Sequence, residues 1–297
     1  MKNKPVITMI SGLSGSGKTT MALKSGNMRF NLDDIRRNLG MQNSWSKNLE
    51  AVAVEMLLSG IEAAVDAGQD VITDNTFLYA RIPNMLRKRI GGRATFSTFR
   101  MDTDIEECIR RDALRPESVG EAVIRKQAKS KWRLSNEYMN VWPQVVPYVY
   151  QEDLPWCFIV DMDGTFAIKA PGRDIYDASR CDEDTPDPAV QAIVNALNRF
   201  EMSDDSTVFP FFLSGRDSAV WENNWEWIRQ NSYVTFPVQA MRAEGDTRPD
   251  FVIKYELFDK YIRGKYNVLF ALDDRDSIVR LWREMGIRTL QVNYGNF

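Results

Sequence analysis

The stretch GLSGSGKT, residues 12–19, decides the fold of the first part of the chain. It follows the β-branched run KPVITMIS (residues 4–11), which predicts a buried strand, and precedes a helix-compatible segment beginning at Lys18. In the spacing G-x-x-x-x-G-K-[ST], backbone N–H groups curl around phosphate oxygens, the lysine reaches the β- and γ-phosphates and the hydroxyl holds Mg²⁺. We therefore predict a P-loop that binds a nucleoside triphosphate. The candidate cofactor-binding residues are Gly15, Gly17, Lys18, Thr19 and Thr20 in this loop, with Thr19 also a metal ligand, together with Arg111 and Arg115 further along the chain.

Strand and helix patterns alternate after this loop. A second strand ends near MRFNLDD (28–34), a long amphipathic helix fits residues 46–68, and QDVITD (69–74) predicts the next strand. Strands that alternate with helices of this length indicate a parallel, doubly wound sheet.

Polar groups follow two of these strands, where such folds bind ligands. Asp33 in NLDDIRR is our candidate base for an attacking hydroxyl, with Arg36 one turn further on to pair with a phosphate. An Asp-Asp pair before a helix is also typical of a helix N-cap. Asp74 ends VITD at the carboxyl edge of the sheet, and its alternative role is to cap a loop.

Basic residues dominate the segment from Arg110 to Arg133. Arg111 and Arg115 are four residues apart, so on a helix they share one face and could close over a transferring phosphate. Charge runs are also typical of solvated helix faces. The other members of this basic patch are Arg110, Arg125, Lys126, Lys129, Lys131 and Arg133.

The proline-containing stretch VWPQVVPYVYQEDLPW (141–156) shows little periodicity and predicts a domain boundary. Residues 1–150 carry 22 Lys and Arg against 16 Asp and Glu, whereas residues 151–297 carry 16 against 25. A basic first half suits polyphosphate or nucleic acid and an acidic second half suits a divalent metal, although drift in surface charge would give the same contrast.

The second half begins a new α/β pattern at WCFIVDMDGT (156–165) and ends with YNVLFALDDR (266–275), a helix and RTLQVNY (288–294). In D-x-D-G-T after an apolar strand, the first carboxylate can attack phosphorus and the second can serve the leaving group as an acid. Asp161 is the candidate nucleophile and Asp163 the candidate acid-base. Further along lie Ser214 in FFLSGR to bind phosphoryl oxygens, Lys254 in DFVIK to offset charge, and Asp273 and Asp274 in LFALDDR to complete a Mg²⁺ site. Taken singly, Ser214 would equally fit a turn, Lys254 a surface charge, and the pair Asp273 and Asp274 a helix cap.

Composition excludes several classes of chemistry. The chain has no histidine, so Ser-His-Asp triads and imidazole bases are excluded and acid-base work falls to carboxylates, lysine or tyrosine. Its three cysteines show no CxxC spacing, which argues against a disulfide framework or a zinc site. No apolar run approaches the roughly 18 residues that span a bilayer, and the N-terminus has no signal-peptide pattern. We expect an unsecreted, cytoplasmic protein.

Together, these motifs resemble the bacteriophage-type polynucleotide 5′-kinase/3′-phosphatases, in which a P-loop kinase precedes a phosphatase of the haloacid-dehalogenase (HAD) superfamily. The resemblance covers nearly the whole length in the same domain order. It implies an α/β protein with two consecutive parallel-sheet domains, a P-loop polynucleotide kinase over residues 1–150 and a HAD-like (Rossmannoid) phosphatase over residues 151–297. Its motifs here are GLSGSGKT, NLDDIRR, ITDNT, the arginines at 111 and 115, FIVDMDGT, GRDIYD (172–177), LSGR, EGDTRPDFVIK (244–254) and LDDR.

The resemblance also implies roles. Lys18 and Thr19 would bind ATP and Mg²⁺, Asp33 would act on a 5′-hydroxyl, Arg36 and Asp74 would hold the acceptor, and Arg115 is the favoured lid arginine. Catalysis in the second domain would rest on Asp161, Asp163 and Lys254, with Asp161, Asp163, Asp273 and Asp274 as metal ligands and Arg173, Ser214, Gly215, Arg216 and Asp250 binding substrate. The expected substrates are RNA and DNA ends with a 5′-hydroxyl and a 3′-phosphate or 2′,3′-cyclic phosphate, which such an enzyme prepares for a ligase. A homotetramer is a further implication.

Two other functions remain compatible with the motifs. A small-molecule kinase fused to a metabolite phosphatase would carry the same P-loop and D-x-D-G-T. A nucleotide-gated binding protein would use the P-loop as a switch, but it would have no use for a nucleophile.

Overall fold

The computed structural model describes residues 4–41, 46–173, 177–203 and 206–295. The chain divides into two compact units, Met1–Val141 and Trp142–Phe297. The division falls at the first residues of the proline-containing stretch. Each unit contains its own parallel sheet and its own hydrophobic core.

The first unit alternates strands and helices along the chain. Its strands are β1 (Val6–Gly12), β2 (Met28–Phe30), β3 (Val71–Asp74) and β4 (Thr95–Met101). Its helices are α1 (Lys18–Lys24), α2 (Leu32–Asn38), α3 (Lys47–Asp66), α4 (Arg81–Ile90), α5 (Ile105–Ala113), α6 (Glu121–Ala128) and α7 (Asn136–Met139), with a short 3-10 helix at Gly91–Arg93.

These strands form a parallel sheet in the order β2-β3-β1-β4. Ile10 in β1 lies beside Asp74 in β3, so the P-loop and Asp74 leave the sheet at the same edge. Helix α3 packs its apolar face on the sheet and, as predicted, begins after Ser46, whose side chain accepts a hydrogen bond from the Leu49 N–H. The parallel sheet therefore brings the ends of β1, β2 and β3 together at one edge.

The second unit contains a larger, mixed sheet. Its strands are β5 (Trp156–Val160), β6 (Ala167–Ile168), β7 (Thr185–Pro186), β8 (Phe200–Ser203), β9 (Ser206–Asp217), β10 (Val238–Arg242), β11 (Asn267–Arg275) and β12 (Thr289–Gly295). Its helices are α8 (Pro188–Leu197), α9 (Trp221–Gln230), α10 (Asp250–Tyr261) and α11 (Asp276–Glu284), with 3-10 turns at Ala178–Glu183 and Ser218–Val220.

The order β10-β9-β5-β11-β12 is parallel throughout, while β8 pairs antiparallel with β9 and β6 pairs with β7 in a separate ribbon. Val160 of β5 lies beside Phe212 of β9 and Leu272 of β11. This register brings Asp161, Asp273 and, two residues after Phe212, Ser214 to the same edge of the sheet. The predicted α/β class is confirmed for both units.

All three cysteines are buried and free of disulfide bonds. Within the described ranges, no helix combines the length and the apolar character that a bilayer crossing requires.

Candidate active sites

The P-loop of the first unit is packed tightly against helix α5. Gly15 has a φ of +81°, and a Cβ there would lie 2.3 Å from the carbonyl oxygen of Cys108. Glycine is therefore required at this position, both for its backbone conformation and for the close approach of two main chains. Within the loop, the Lys18 ammonium donates a hydrogen bond of 2.7 Å to the Leu13 carbonyl.

Lys18 is buried, and burial lowers its pKa to about 8, although the carboxylates of Asp74 and Asp33 act in the opposite direction. A phosphate group beside the ammonium would replace the missing hydration. Thr19 and Thr20 are exposed in the first turn of α1, so their hydroxyl groups face solvent. The loop therefore has the features that a polyphosphate requires.

Asp33 lies in the first turn of α2 and its side chain is 71% exposed. The N-cap of that helix is Asn31, whose side chain accepts a hydrogen bond from the Asp34 N–H, so Asp33 does not act as the cap. Arg36 donates to Asp33 at 2.7 Å and also pairs with Glu50. The carboxylate of Asp33 thus remains accessible, with a guanidinium held beside it.

Asp74 is fully buried at the end of β3 and bound by Arg29, whose Nε and Nη2 donate to its two carboxylate oxygens at 2.7 and 3.0 Å. Its main-chain oxygen accepts from Asn31 at 2.6 Å. Asp74 therefore joins the ends of β2 and β3 rather than capping a loop.

The two candidate lid arginines occupy different positions. Arg111 lies on α5 and its guanidinium is beside Gly17, since a Cβ on Gly17 would be 3.7 Å from Arg111 Nη1. Arg115 follows the end of α5, is half exposed, and lies 3.3 Å from the buried carboxylate of Asp112. Its positive charge contributes to the lowered pKa of Lys18. Both arginines therefore lie near the P-loop.

In the second unit, Asp161 follows β5 and is joined by Lys254 from α10 and by Asp273 and Asp274 from β11. Lys254 is 1% exposed, and its Nζ lies 2.6 Å from Asp161 Oδ1 and 2.9 Å from Asp273 Oδ2. Thr165 Oγ1 lies 3.3 Å from Asp161 and 3.4 Å from Asp274. Four of the predicted residues thus meet in one buried cluster.

Negative charge exceeds positive charge in this cluster. Burial raises the pKa of Asp161 to about 7 and that of Asp274 to about 6, and it also raises the pKa of Asp273. Burial alone would lower the pKa of Lys254, but Asp161 and Asp273 outweigh that effect and raise it. Carboxylate oxygens of the three aspartates all lie within 4.8 Å of one another. A hard divalent cation with oxygen ligands fits this arrangement because it would neutralise the excess charge.

The carboxylate of Asp163 is bound by two buried arginines. Arg216 donates to its carboxylate at 2.8 and 2.9 Å, and Arg173 donates at 3.1 Å. Burial would raise the pKa of Asp163, but Arg216 and then Arg173 lower it. Asp184 binds both arginines from the other side, at 2.7 to 2.9 Å. Residues 174–176 of the predicted GRDIYD motif lie outside the described residues.

The remaining predicted residues lie around this edge. Ser214 is buried at the end of β9 and its hydroxyl accepts from the Arg216 N–H at 3.1 Å. Gly215 allows Asp250 to approach, because a Cβ there would lie 2.1 Å from Asp250 Oδ1. Asp250 begins α10 and is bound by Arg242 and Arg275.

This geometry agrees with the comparison to known protein families. Residues 155–297 match the family model of the polynucleotide kinase PNKP phosphatase domain, and residues 7–132 match that of an AAA domain. Most of the second unit is therefore similar to the PNKP phosphatase domain. The resemblance predicted from the motifs is thereby confirmed for the order and type of the two domains.

Two known proteins are similar to nearly the whole chain. A protein described as a bifunctional polynucleotide kinase/RNA ligase from Autographa californica nuclear polyhedrosis virus is 28% identical over an alignment of 307 residues that covers 97% of this chain. The chain spans 42% of the length of that relative. Among solved structures, a chain of the Pnkp1/Rnl/Hen1 RNA repair complex is 28% identical, covers 100% of this chain and 98% of its own length, and has a TM-score of 0.48.

The second unit contains site residues that sequence patterns alone missed. Asp184 holds both Arg173 and Arg216 and accepts a main-chain hydrogen bond from Ala170 N–H at 3.0 Å. It lies in the acidic run DEDTPD (182–187), where no local pattern distinguishes it from its neighbours. In the first unit, sequence patterns also missed Arg29, because no local pattern links it to Asp74.

Proposed function

We propose that the chain heals broken polynucleotides, adding phosphate to 5′-hydroxyl ends and removing it from 3′ ends. The observation that carries this proposal is a phosphatase domain of the polynucleotide kinase family, with a complete carboxylate–lysine cluster, placed behind a P-loop unit in one chain. The phosphatase produces the 3′-hydroxyl and the kinase produces the 5′-phosphate that a ligase requires. The viral relative's name, which pairs a polynucleotide kinase with an RNA ligase, supports this link.

In the kinase reaction, ATP is the donor and Lys18 contacts its β- and γ-phosphates. Asp33 takes the proton of the 5′-hydroxyl while that oxygen bonds to the γ-phosphorus and the bond from this phosphorus to the bridging oxygen breaks, releasing ADP. Arg115 stabilises the developing charge. Thr19 would hold a Mg²⁺ ion, which would offset the charge of the phosphates.

In the phosphatase reaction, an Asp161 oxygen bonds to the phosphorus and the bond to the 3′-oxygen breaks, giving an aspartyl-phosphate. The leaving 3′-oxygen takes a proton from Asp163. A water then attacks the phosphorus and returns its proton to Asp163, releasing phosphate and free Asp161. Asp161, Asp273 and Asp274 would hold a Mg²⁺ ion, which would offset the charge of the phosphate.

The ion pairs of Asp163 bear directly on this role. As long as Arg216 and Arg173 hold its carboxylate, its pKa is lowered and it carries no proton to donate. A substrate phosphate competes for the same guanidinium groups, and their transfer to the phosphate would raise the pKa of Asp163 and allow it to be protonated. Substrate binding would thereby allow Asp163 to act as the general acid.

The substrates we propose are RNA and DNA ends, including 2′,3′-cyclic phosphate ends, with ATP and Mg²⁺ as cofactors. The homotetramer implied by the resemblance remains a prediction that light scattering of the purified chain would test.

The test uses an oligonucleotide that carries a 5′-hydroxyl and a 3′-phosphate, incubated with ATP and Mg²⁺ and read at both ends by mass. Asp33→Asn should abolish only 5′-phosphorylation and Asp161→Asn only 3′-dephosphorylation. Asp66→Asn and Asp182→Asn remove exposed carboxylates of the same units and should change neither reaction. A wild-type protein that leaves both ends intact while it phosphorylates small hydroxylated metabolites, or hydrolyses their phosphate esters, would instead support the metabolite kinase–phosphatase.

A further inference from the structure

The structure separates the basic patch of residues 110–133 into two groups. Arg110 binds Glu107 with both Nε and Nη2, at 2.7 and 2.8 Å. Arg125 pairs with Glu121 and Glu106 at 2.7 and 2.9 Å. These arginines are already neutralised by neighbouring carboxylates, as expected for a solvated helix face.

The second group has no such partners. Lys126, Lys129, Lys131 and Arg133 are exposed, and within the described part of the chain none of them forms an ion pair. The Arg133 guanidinium only donates to the main-chain oxygens of Ser130 and Trp132. We call these four residues the cationic strip. Most arginines of this unit pair with carboxylates, whereas the strip concentrates four exposed cations without a carboxylate partner among the described residues within eight positions of the chain.

The strip lies at the sheet edge that carries the kinase site. Ser130, between two of its lysines, donates a hydrogen bond of 2.6 Å to the Leu78 carbonyl in the loop that follows Asp74. Gln127 at the end of α6 binds Ser14 of the P-loop in both directions, at 2.9 and 3.1 Å. The loop after β3 also contacts α2, because Asn75 Oδ1 accepts from the Leu32 N–H at 2.9 Å.

An exposed aromatic side chain accompanies the strip. Tyr79, next to Leu78, is 64% exposed. Two residues further on, Arg81 is exposed and, like the strip, forms no ion pair with any described residue. The surface beside the loop after β3 therefore combines unpaired cations with an accessible aromatic ring.

We propose that the cationic strip and Tyr79 bind the single-stranded part of the acceptor polynucleotide downstream of its 5′-hydroxyl. This inference rests on the proposed kinase function and specifies where the rest of the acceptor lies. Unpaired lysines suit successive phosphodiesters, whose counterions they release, and an exposed ring suits stacking of an unpaired base. Both contacts are independent of base sequence, so the strip favours longer acceptors rather than particular ones.

The test compares kcat/KM for phosphorylation of a dinucleotide and of a decamer, each with 5′- and 3′-hydroxyl ends, over a series of salt concentrations. The strip variant is Lys129→Gln/Lys131→Gln. Its matched control, Lys4→Gln/Lys24→Gln, removes two exposed lysines that precede β1 and end α1, away from the P-loop side of these elements.

The strip variant should lower the decamer-to-dinucleotide ratio and reduce the slope of log(kcat/KM) against log[salt] for the decamer by about 1.4, since each single-strand phosphate contact contributes about 0.7. Tyr79→Ala should lower the same ratio about five- to 150-fold, the value of one stacked base. The control should keep the wild-type ratio and slope. Equal ratios and slopes in strip variant and control would overturn the inference while the kinase function stands.

A fluorescence-anisotropy titration of labelled RNA and DNA decamers with the same proteins tests the strip independently of turnover. If the wild type phosphorylates neither acceptor, the kinase proposal fails. Weaker decamer binding by the strip variant, with the control unchanged, would still support the cationic strip as a polynucleotide-binding surface. RNA and DNA should lose affinity equally, because phosphates and base faces are common to both. A loss confined to RNA would overturn the backbone contacts in favour of 2′-hydroxyl recognition.

Discussion

Replacing Lys254 with methionine should destabilise the second unit and abolish only the phosphatase. The ammonium lies 2.6 Å from Asp161 and 2.9 Å from Asp273 and is almost completely buried. At an effective dielectric constant of about 20, each of these contacts is worth about 6 kcal/mol before the cost of desolvation is subtracted. Desolvation offsets most of that gain, and removing one partner of a buried ion pair costs about 3–5 kcal/mol. We expect the free energy of unfolding to fall by about that amount.

Urea denaturation followed by tryptophan fluorescence reports on this unit, because six of the eight tryptophans lie after residue 141. The control Lys260→Met removes an exposed lysine from the same helix and should cost about 0.5 kcal/mol or less. Kinase activity should persist in both variants. Added MgCl₂ should recover part of the loss in Lys254→Met, because the cation would replace the missing positive charge. A loss as small as that of the control would refute the view that Lys254 offsets the charge of the carboxylates.

Two further predictions concern a glycine and the P-loop lysine. Gly164→Ala should lower phosphatase kcat at least about tenfold and leave the kinase unchanged, because a Cβ there would lie 2.4 Å from Asp274 Oδ2. The control is Gly172→Ala, since Gly172 has a similar positive φ but no atom would lie within 4 Å of its Cβ. An equal loss of activity in the control would show that backbone strain, and not the contact with Asp274, causes the effect. The affinity for ATP, measured calorimetrically, should fall as the pH rises above about 8, because Lys18 of the free protein then loses its proton and binding must restore it. Lys18→Arg stays charged and should give a flat profile, and a flat wild-type profile would exclude Lys18 as the titrating group.

The parts of the fold that the sequence predicted are those with strong local signals. The P-loop, the long helix α3 and the strands before Asp74 and Asp161 each show a periodicity or spacing that depends on neighbouring residues alone. The segment of α4 and β4 carries no comparable pattern, since α4 has Pro83 in its first turn and β4 is partly exposed. For these elements, packing on the sheet decides the structure.

The candidate sites divide in the same way. Motif residues such as Asp161 and Lys254 could be placed from their order along the chain. The residues that position them could not, because they are joined only by the tertiary fold: Arg29 binds Asp74 across 45 residues, and Arg216 binds Asp184 across 32. An arginine or aspartate in a charged stretch gives no local sign of such a partner.

Because Gly15 packs directly against the Cys108 carbonyl, we expect the P-loop and helix α5 to move together as one rigid unit. Where two main chains touch, no side chain can rotate to absorb a displacement, so a tilt of α5 carries the loop with it. Arg111, on that helix, is held beside Gly17, so in the proposed kinase it would form a fixed wall of the nucleotide site. Arg115 lies beyond the helix end at Ala113, so the proposed closure over a triphosphate would need its hinge after that residue.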